Sequence, residues 1–265
     1  MTEKQLIKRQ KMLERIKEFT LMDDDFMTVF FDKDTVRTEF VLRIIMDNPT
    51  LKVQSVKTQY GIKNLEGRSV RLDVRAVDSC GKVYDIEIQQ ANSGAIAQRA
   101  RYNAALMDLD ETVAGMKVEK LPETYVIFIT ANDVFNGSLP LYHIERTIKE
   151  LSKDFADGSH IIYVNGKYRG DNPIGSLMHD FSCKNADDMK NAVLAEKVKL
   201  LKEDEQGVSQ MCSIMEEFAR EEREQRSIEV AKEMLEDGSL SLKKIAQFSK
   251  LPLDTVKKLA EKVEN

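Results

Sequence analysis

Residues 124–130 read TYVIFIT, a run that is nearly all apolar or β-branched. A strand with one wet face alternates apolar and polar residues. An unbroken run of this kind requires a central strand covered on both faces. Helices are a usual cover for such a strand. The order of elements around it agrees. Residues 1–19 have the pattern of a basic amphipathic helix. Asp34 is placed to cap a second helix, in which Val36, Phe40, Val41, Ile44 and Ile45 recur at helical spacing. Asn48-Pro49 ends it. Strand-like runs follow at 53–60, 70–77 and 83–89. A helix is expected over about 93–108, with Ile96, Ala100, Ala104 and Met107 inward, and residues 160–165 (HIIYVN) read as another strand. From about 174 onward only helical patterns remain. A three-strand meander, a helical crossover and a buried strand predict a mixed sheet flanked by helices.

Composition narrows the function classes. Lys and Arg number 40 against 45 Asp and Glu, a net charge of −5 that argues against whole-surface nucleic-acid binding but not against a local basic site. Gly and Pro are scarce, at 12 and 5 of 265 residues, which disfavours linkers and Gly-rich β-sandwiches. The apolar runs are far short of the ~20 residues a membrane-spanning helix needs. The N-terminus is charged, without an apolar signal core, so a cytoplasmic protein is expected. Cys80, Cys183 and Cys212 are odd in number and far apart, and His143, His160 and His179 are scattered. No Cys/His metal or nucleophile pair is expected from their spacing.

The residues that carry chemistry lie in one hairpin. In RSVRLDVRAVD, Val70, Leu72, Val74 and Ala76 take one face and Arg71, Asp73 and Arg75 the other. In KVYDIEIQQ, Tyr84, Ile86 and Ile88 alternate with Asp85, Glu87 and Gln89. A three-residue loop, Ser79-Cys80-Gly81, places Gly81 where a left-handed residue is wanted after a type I turn. Asp78 then pairs with Lys82, Arg75 with Asp85, Val74 with Ile86, Leu72 with Ile88, Arg71 with Gln89 and Asp73 with Glu87. A slip of one residue would spoil both alternations. Asp73 opposite Glu87 sets two carboxylates about 5 Å apart at Cβ, which is repulsive unless a cation intervenes. Hard oxygen ligands on adjacent strands suit Mg²⁺ or Mn²⁺. A solvated sheet face of mixed charge is the other reading of the same pattern.

Asp73 followed by Glu87-Ile88-Gln89 resembles the split motif of the PD-(D/E)XK nuclease superfamily. The chain resembles in particular the PD-(D/E)XK nuclease family transposases, also called recombination-promoting nucleases. MDDDFMTVFFDKDTVRTEFVLRII at 22–45, DIEIQQ at 85–90, QRARYNAALMD at 98–108 and HIIYVNGKYRGDNPIGSLMHDF at 160–181 carry that resemblance, which spans roughly residues 22–225. It implies a restriction-endonuclease-like mixed sheet flanked by helices, with an all-helical C-terminal region. It also implies a Mg²⁺- or Mn²⁺-dependent DNA endonuclease that hydrolyses phosphodiester bonds and promotes recombination or transposition. Asp73, Glu87 and the backbone carbonyl of Ile88 would hold the metal, and Gln89 stands where the superfamily usually has a water-activating Lys. Leu72 stands where it usually has Pro. Gln can hold a water but is neither a cation nor a base. Glu39 is either a further metal ligand from the first helix of the family fold or a boundary charge on an amphipathic helix.

Two further surfaces are candidates for DNA. Gln98, Arg101, Tyr102 and Ala105 share a helix face, with Arg101 and Tyr102 able to meet a phosphate backbone; a plain solvated face is the alternative. Residues 203–224 hold eight acids against two arginines, a solvated acidic face. Residues 242–262 hold six lysines against two acids and read as helix, turn at 249–251, and second helix with Pro252 near its first turn. Ile245, Ala246, Leu251, Val256 and Leu259 would pack between the two. This is either a helix-turn-helix-like element meeting DNA through Lys257 and Lys258, or a protein-contact appendage. The expected segments are 1–21, an N-terminal helix; 22–170, the core; 171–226, a helical extension; and 227–265, the basic end. A homo-oligomer, a catalytically weak nucleic-acid binder and a helical protein-interaction module remain alternatives.

Overall fold

The computed structural model describes residues 3–64 and 67–263. The chain divides into two compact units, one through Met211 and one from Cys212. It begins with α1 (Glu3–Glu18), α2 (Asp24–Phe31) and α3 (Thr35–Ile45), and then the strands β1 (Val53–Ile62), β2 (Val70–Asp78) and β3 (Val83–Gln89). Helix α4 (Ala97–Asp110) crosses over to β4 (Thr124–Thr130). Next come β5 (Leu141–Ile144), the short pair β6 (Thr147–Ile148) and β7 (Lys153–Asp154), and β8 (Ser159–Asn165). Helices α5 (Pro173–Phe181), α6 (Ala192–Glu203), α7 (Glu205–Asp237), α8 (Leu242–Ser249) and α9 (Leu253–Val263) complete the chain.

The main sheet has six strands in the order β1-β2-β3-β4-β8-β5. β1, β2 and β3 form an antiparallel meander, β3, β4 and β8 run parallel, and β5 closes the edge antiparallel to β8. TYVIFIT is β4, inside the sheet and buried at every residue, as the unbroken apolar run requires. Helices α2 and α3 pack on β1, and α4 packs on β4. Under α4 lies a core of Val83, Val126, Phe128 and Tyr163 against Ala100, Ala104 and Met107. The architecture is the mixed, helix-flanked sheet of a restriction-endonuclease-like α/β fold.

Several details depart from the periodicity. Helix α2 was not predicted: DDFMTVFF buries Phe26, Met27, Val29, Phe30 and Phe31 all round, so it has no amphipathic stripe to read. In α3, Asp34 does cap, accepting from Arg37 N–H at 2.9 Å. The inward residues there are Thr38, Val41, Leu42 and Ile45, while Val36 is 59% exposed. Ile96 stands at the N-cap of α4, 49% exposed, so it is not an inward residue. Strand β3 is buried on both faces through Ile88, because α4 covers the face that carries Asp85 and Glu87.

In the second unit, Ala231 from α7, Ile245 from α8 and Val256 from α9 form a small core, with Met234, Leu235, Leu240, Ala246, Leu251 and Leu259 packed around it. Ser241 caps α8 by accepting from Lys244 N–H. Lys250 takes the left-handed conformation (φ 62°) in the turn between α8 and α9. The packing partners expected for a helix-turn-helix-like pair therefore meet. Among the described residues no helix is long and apolar enough to cross a membrane.

Candidate functional site

The hairpin turn has the expected form. Gly81 has φ 79° and its N–H donates to Asp78 O at 3.1 Å, closing a turn followed by a left-handed residue. Asp78 N–H donates to Lys82 O at 3.0 Å, and Val77–Val83, Ala76–Tyr84, Arg75–Asp85 and Val74–Ile86 pair in the expected register. Beyond Val74–Ile86 the ladder opens. The register would next have Leu72 and Ile88 exchange bonds. Instead Ile88 N–H donates to Asp73 Oδ2 at 3.0 Å, and Asp73 N–H reaches Glu87 Oε1 at 3.4 Å. The two carboxylates have taken the place of backbone partners. The Ile88 carbonyl shares the side of its own N–H, toward Asp73, because both groups of a strand residue point the same way.

This gap holds a cluster of acids. Glu87 and Asp85 are each 0% exposed, so the solvated sheet face is excluded for them. Asp73 is half-buried beside them. Burial, and then the charge of Glu87, push the Asp73 carboxyl up to about 8, against the pull of the Ile88 N–H. Burial also raises Glu87, opposed chiefly by Arg99. Asp85 is raised well above the ordinary range by burial and then by Glu87.

Helix α4 supplies the counter-groups. Arg99 Nη2 donates to Glu87 Oε2 at 2.6 Å, and Asn103 Nδ2 donates to Asp85 Oδ2 at 3.0 Å. The match is geometric. Four residues of helix rise about 6 Å, and two residues of strand about 6.6 Å, so positions i and i+4 of a helix can lie over alternate residues of a strand. The sequence reading missed both Arg99 and Asn103, having taken the neighbouring face 98, 101, 102, 105. The expected Arg75–Asp85 side-chain pair does not form. Arg75 turns instead to Glu111 and to the ring of Tyr60.

Gln89 Nε2 lies 3.5 Å from Asp73 Oδ2 and 3.4 Å from Glu87 Oε2, spanning the two. Its position depends on Gly94: a Cβ there would stand 1.9 Å from Gln89 Oε1. Asp73, Ile88 and Gln89 open on a recess of about 390 Å³, also lined by Met22, Asp24, Gln59, Arg71, Gln90 and Arg99. Asp24 enters from the start of α2, held by Gln59 Nε2 at 3.1 Å, and its charge adds to the raising of Asp73. Gln90 Nε2 anchors the same helix start at Met22 O and Asp23 Oδ1. Glu39 is elsewhere. Its carboxylate pairs with Arg43 at 2.6 Å and accepts from Val53 N–H at 3.0 Å, at the other end of β1 from Gln59. It ties α3 to the sheet and does not line the recess. The acid from the helical N-terminal region that does is Asp24, whose only sequence signal is the acidic run at 23–25.

The donor set suits a divalent cation. Glu87 alone of the three acids pairs with a guanidinium, that of Arg99, and Asp85 Oδ1 is buried with no hydrogen-bond partner among the described residues. The crowding that favours protons on these acids favours a hard dication in the same place. Asp73, Glu87 and the Ile88 carbonyl could hold one.

The remaining expectations are placed as follows. Arg101 is exposed on α4. Tyr102 is half-buried, and its hydroxyl donates to the Arg68 carbonyl, so that proton is already committed. Lys257 pairs with Asp254 at 3.3 Å on the exposed side of α9, and Lys258 is exposed beside it. His179 and Cys183, four residues apart, do come together with Asp180, their ligand atoms within 4.8 Å. Helical i, i+4 spacing was the signal overlooked there. Asp180, however, is fully buried and spends both oxygens on Lys190 N–H, Asn191 N–H and the Asn191 amide. It is a structural acid that ties α5 to the segment before α6.

A family model described as PD-(D/E)XK nuclease family transposase matches residues 34–169. That stretch takes in β1 through β8, with Asp73, Glu87, Gln89 and Arg99; Asp24 lies ten residues before it. No curated protein and no solved structure matches the chain.

Proposed function

Because the chain belongs to the PD-(D/E)XK nuclease family transposases, we propose that it is a metal-dependent endodeoxyribonuclease with its active site at the open end of the β2–β3 hairpin. The observation that carries this reading is the buried Asp73–Glu87 pair, set where the ladder gives way and beside a recess open to solvent. Mg²⁺ or Mn²⁺ would be held by Asp73, Glu87 and the Ile88 carbonyl. When bound, the cation supplies Lewis acidity toward a phosphoryl oxygen and a water more acidic than bulk.

The chain's own residues do the positioning. Gln89, with its amide between the two carboxylates, orients the attacking water by hydrogen bonding. Having no titratable proton, it leaves deprotonation to another group. Arg99 restrains Glu87 and brings positive charge to the site where a phosphate would lie. Asn103 fixes Asp85, whose buried carboxyl interacts with that of Glu87. Asp24 borders the recess as a further acid. Hydrolysis at such a site makes strand breaks, and breaks promote recombination without a strand-transfer apparatus. The exposed lysines of α9, Lys257 and Lys258, add affinity through phosphate contacts, with α8 and α9 acting as a helix-turn-helix-like DNA element.

The test is cleavage of plasmid DNA with Mg²⁺ or Mn²⁺ by wild type, Asp73→Ala and Glu87→Ala, each shown to be folded. Loss of cutting in both variants, with loss of Mn²⁺ binding by calorimetry, supports the assignment. Wild-type rates in Asp73→Ala would overturn it.

A further inference from the structure

A second cleft opens beside the carboxylates, between the start of β2 and α4. Its volume is about 710 Å³, within the ~300–1,000 Å³ typical of sites that enclose small ligands. Arg71 and Arg99 line both this cleft and the carboxylate recess, so the two adjoin. Three of its cations, Arg68, Arg71 and Arg101, are exposed and have no acidic partner among the described residues. In a chain of net charge −5, most arginines elsewhere are paired: Arg37, Arg43, Arg75 and Arg146 each have a carboxylate. Three unpaired guanidiniums in one cleft repel one another unless an anion sits among them.

The rest of the lining is not what a lone phosphate would need. Tyr102 contributes a ring, held in place because its hydroxyl donates to the Arg68 carbonyl. Ile96, 49% exposed, and half-buried Val70 complete an apolar patch with it. A basic cleft that also offers an aromatic face is how proteins hold unpaired nucleotides, with cations on the backbone and the base against the ring. A base still paired in a duplex presents only its edge and cannot enter such a cleft.

We propose that this cleft binds an unpaired nucleotide of the DNA strand whose neighbouring phosphate lies at Asp73 and Glu87. Arg68, Arg71 and Arg101 take its backbone phosphates, and Tyr102 with Ile96 takes its base. The inference rests on the nuclease reading for the identity of the polymer but not for its occurrence in the cleft. The substrate class follows: single-stranded DNA, or duplex with an unpaired stretch, is preferred over an intact duplex.

The experiment is fluorescence anisotropy with labelled oligodeoxythymidylate and with the matching duplex. It is done on the full chain in EDTA over a series of salt concentrations, so that nothing depends on cleavage. Wild type is expected to bind the single strand more tightly than the duplex. Tyr102→Ala should weaken single-strand binding roughly 5- to 150-fold, and Tyr102→Phe should recover most of it by restoring the ring. Arg68→Gln and Arg101→Gln, both at exposed positions, should each lower the log–log salt slope by roughly 0.7. Equal affinity for the two forms, or unchanged slopes in both arginine variants, overturns the proposal. If the cleft binds as expected but the protein never cuts DNA with Mg²⁺ or Mn²⁺, the nuclease reading fails and the cleft stands. If it cuts while these variants bind as wild type does, the cleft fails and the nuclease reading stands.

Discussion

The two ends of one hairpin treat their carboxylates in opposite ways. At the turn, Asp78 is 5% exposed and fully served: Oδ1 accepts from Cys80 N–H at 2.8 Å and Lys82 N–H at 2.9 Å, and Oδ2 from the Tyr84 hydroxyl at 2.9 Å. At the open end Asp73, Glu87 and Asp85 crowd together with fewer donors than acceptor sites, one oxygen orphaned, and proton affinities raised by burial and by one another. Both ends place acids in a low dielectric. Donors meet the cost at the turn, whereas at the open end it is left standing for something outside the chain to relieve. That contrast separates an acid that builds the fold from the acids proposed to bind a metal.

The sharpest way to break the contrast is to remove an acid from each end. Asp73→Ala and Glu87→Ala are expected to lose metal-dependent cleavage by about 10³-fold or more, since several kcal/mol of charge stabilisation go with the cation. Without metal, Asp73→Ala should unfold in urea close to wild type, since a repulsion is removed as Ile88 N–H loses its acceptor, whereas Glu87→Ala should unfold earlier because it also leaves Arg99 without its carboxylate. Asp78→Ala should do the reverse: stability falls by about 2–4 kcal/mol as three donors lose their acceptor, while cleavage persists in the folded fraction. If Asp78→Ala abolishes cleavage at unchanged stability, the division of labour is wrong.

Next in size is the dependence on pH. The Asp73 carboxyl, at about 8 in the folded chain, titrates near ~3.9 when unfolded. A raised folded value means that folding takes up a proton between those limits. The contribution is fully present below about pH 4 and is lost as pH rises through 8. Thermal melts in EDTA should therefore show stability falling across this window, and Mg²⁺ should restore most at the alkaline end. Asp73→Asn should flatten the EDTA curve; an unchanged slope would mean that the crowding is not what destabilises this end.

A smaller effect is expected from Gly94→Ala. Its Cβ cannot coexist with the present Gln89 amide, so cleavage should slow by up to about 10²-fold with metal affinity retained. Gln89→Ala should match it, and Gln89→Lys should keep or raise activity. Calorimetry showing that Gln89→Ala no longer binds metal would make Gln89 a ligand rather than an orienting group. The smallest effect lies outside the hairpin. Reversing Lys257 and Lys258 to Glu should leave cleavage chemistry intact and reduce the salt slope of DNA binding by roughly 0.9 per lost phosphate contact. Equal slopes would assign α8 and α9 to a protein-contact role.

Alternation, turn chemistry and one apolar run were enough to determine the hairpin, its register and the buried strand beside it. These are local signals: side chains alternate with period two, Gly81 relieves a left-handed position, and a register slip would turn every apolar residue outward. They sufficed to set Asp73 across from Glu87. What surrounds that pair was decided only by the tertiary structure. Arg99 and Asn103 reach it because helix and strand rises nearly match where α4 crosses β3, a coincidence of packing with no trace in α4's own pattern. That Asp24 lines the recess and Glu39 does not has a related reason. Glu39 has a hydrophobic period to sit in and is drawn to Arg43 and Val53, while Asp24 opens a helix buried all round, whose position only the sheet beneath it defines. Local periodicity says which face a residue is on. Which residue from another element lies across from that face depends on how the layers stack, and packing alone sets that.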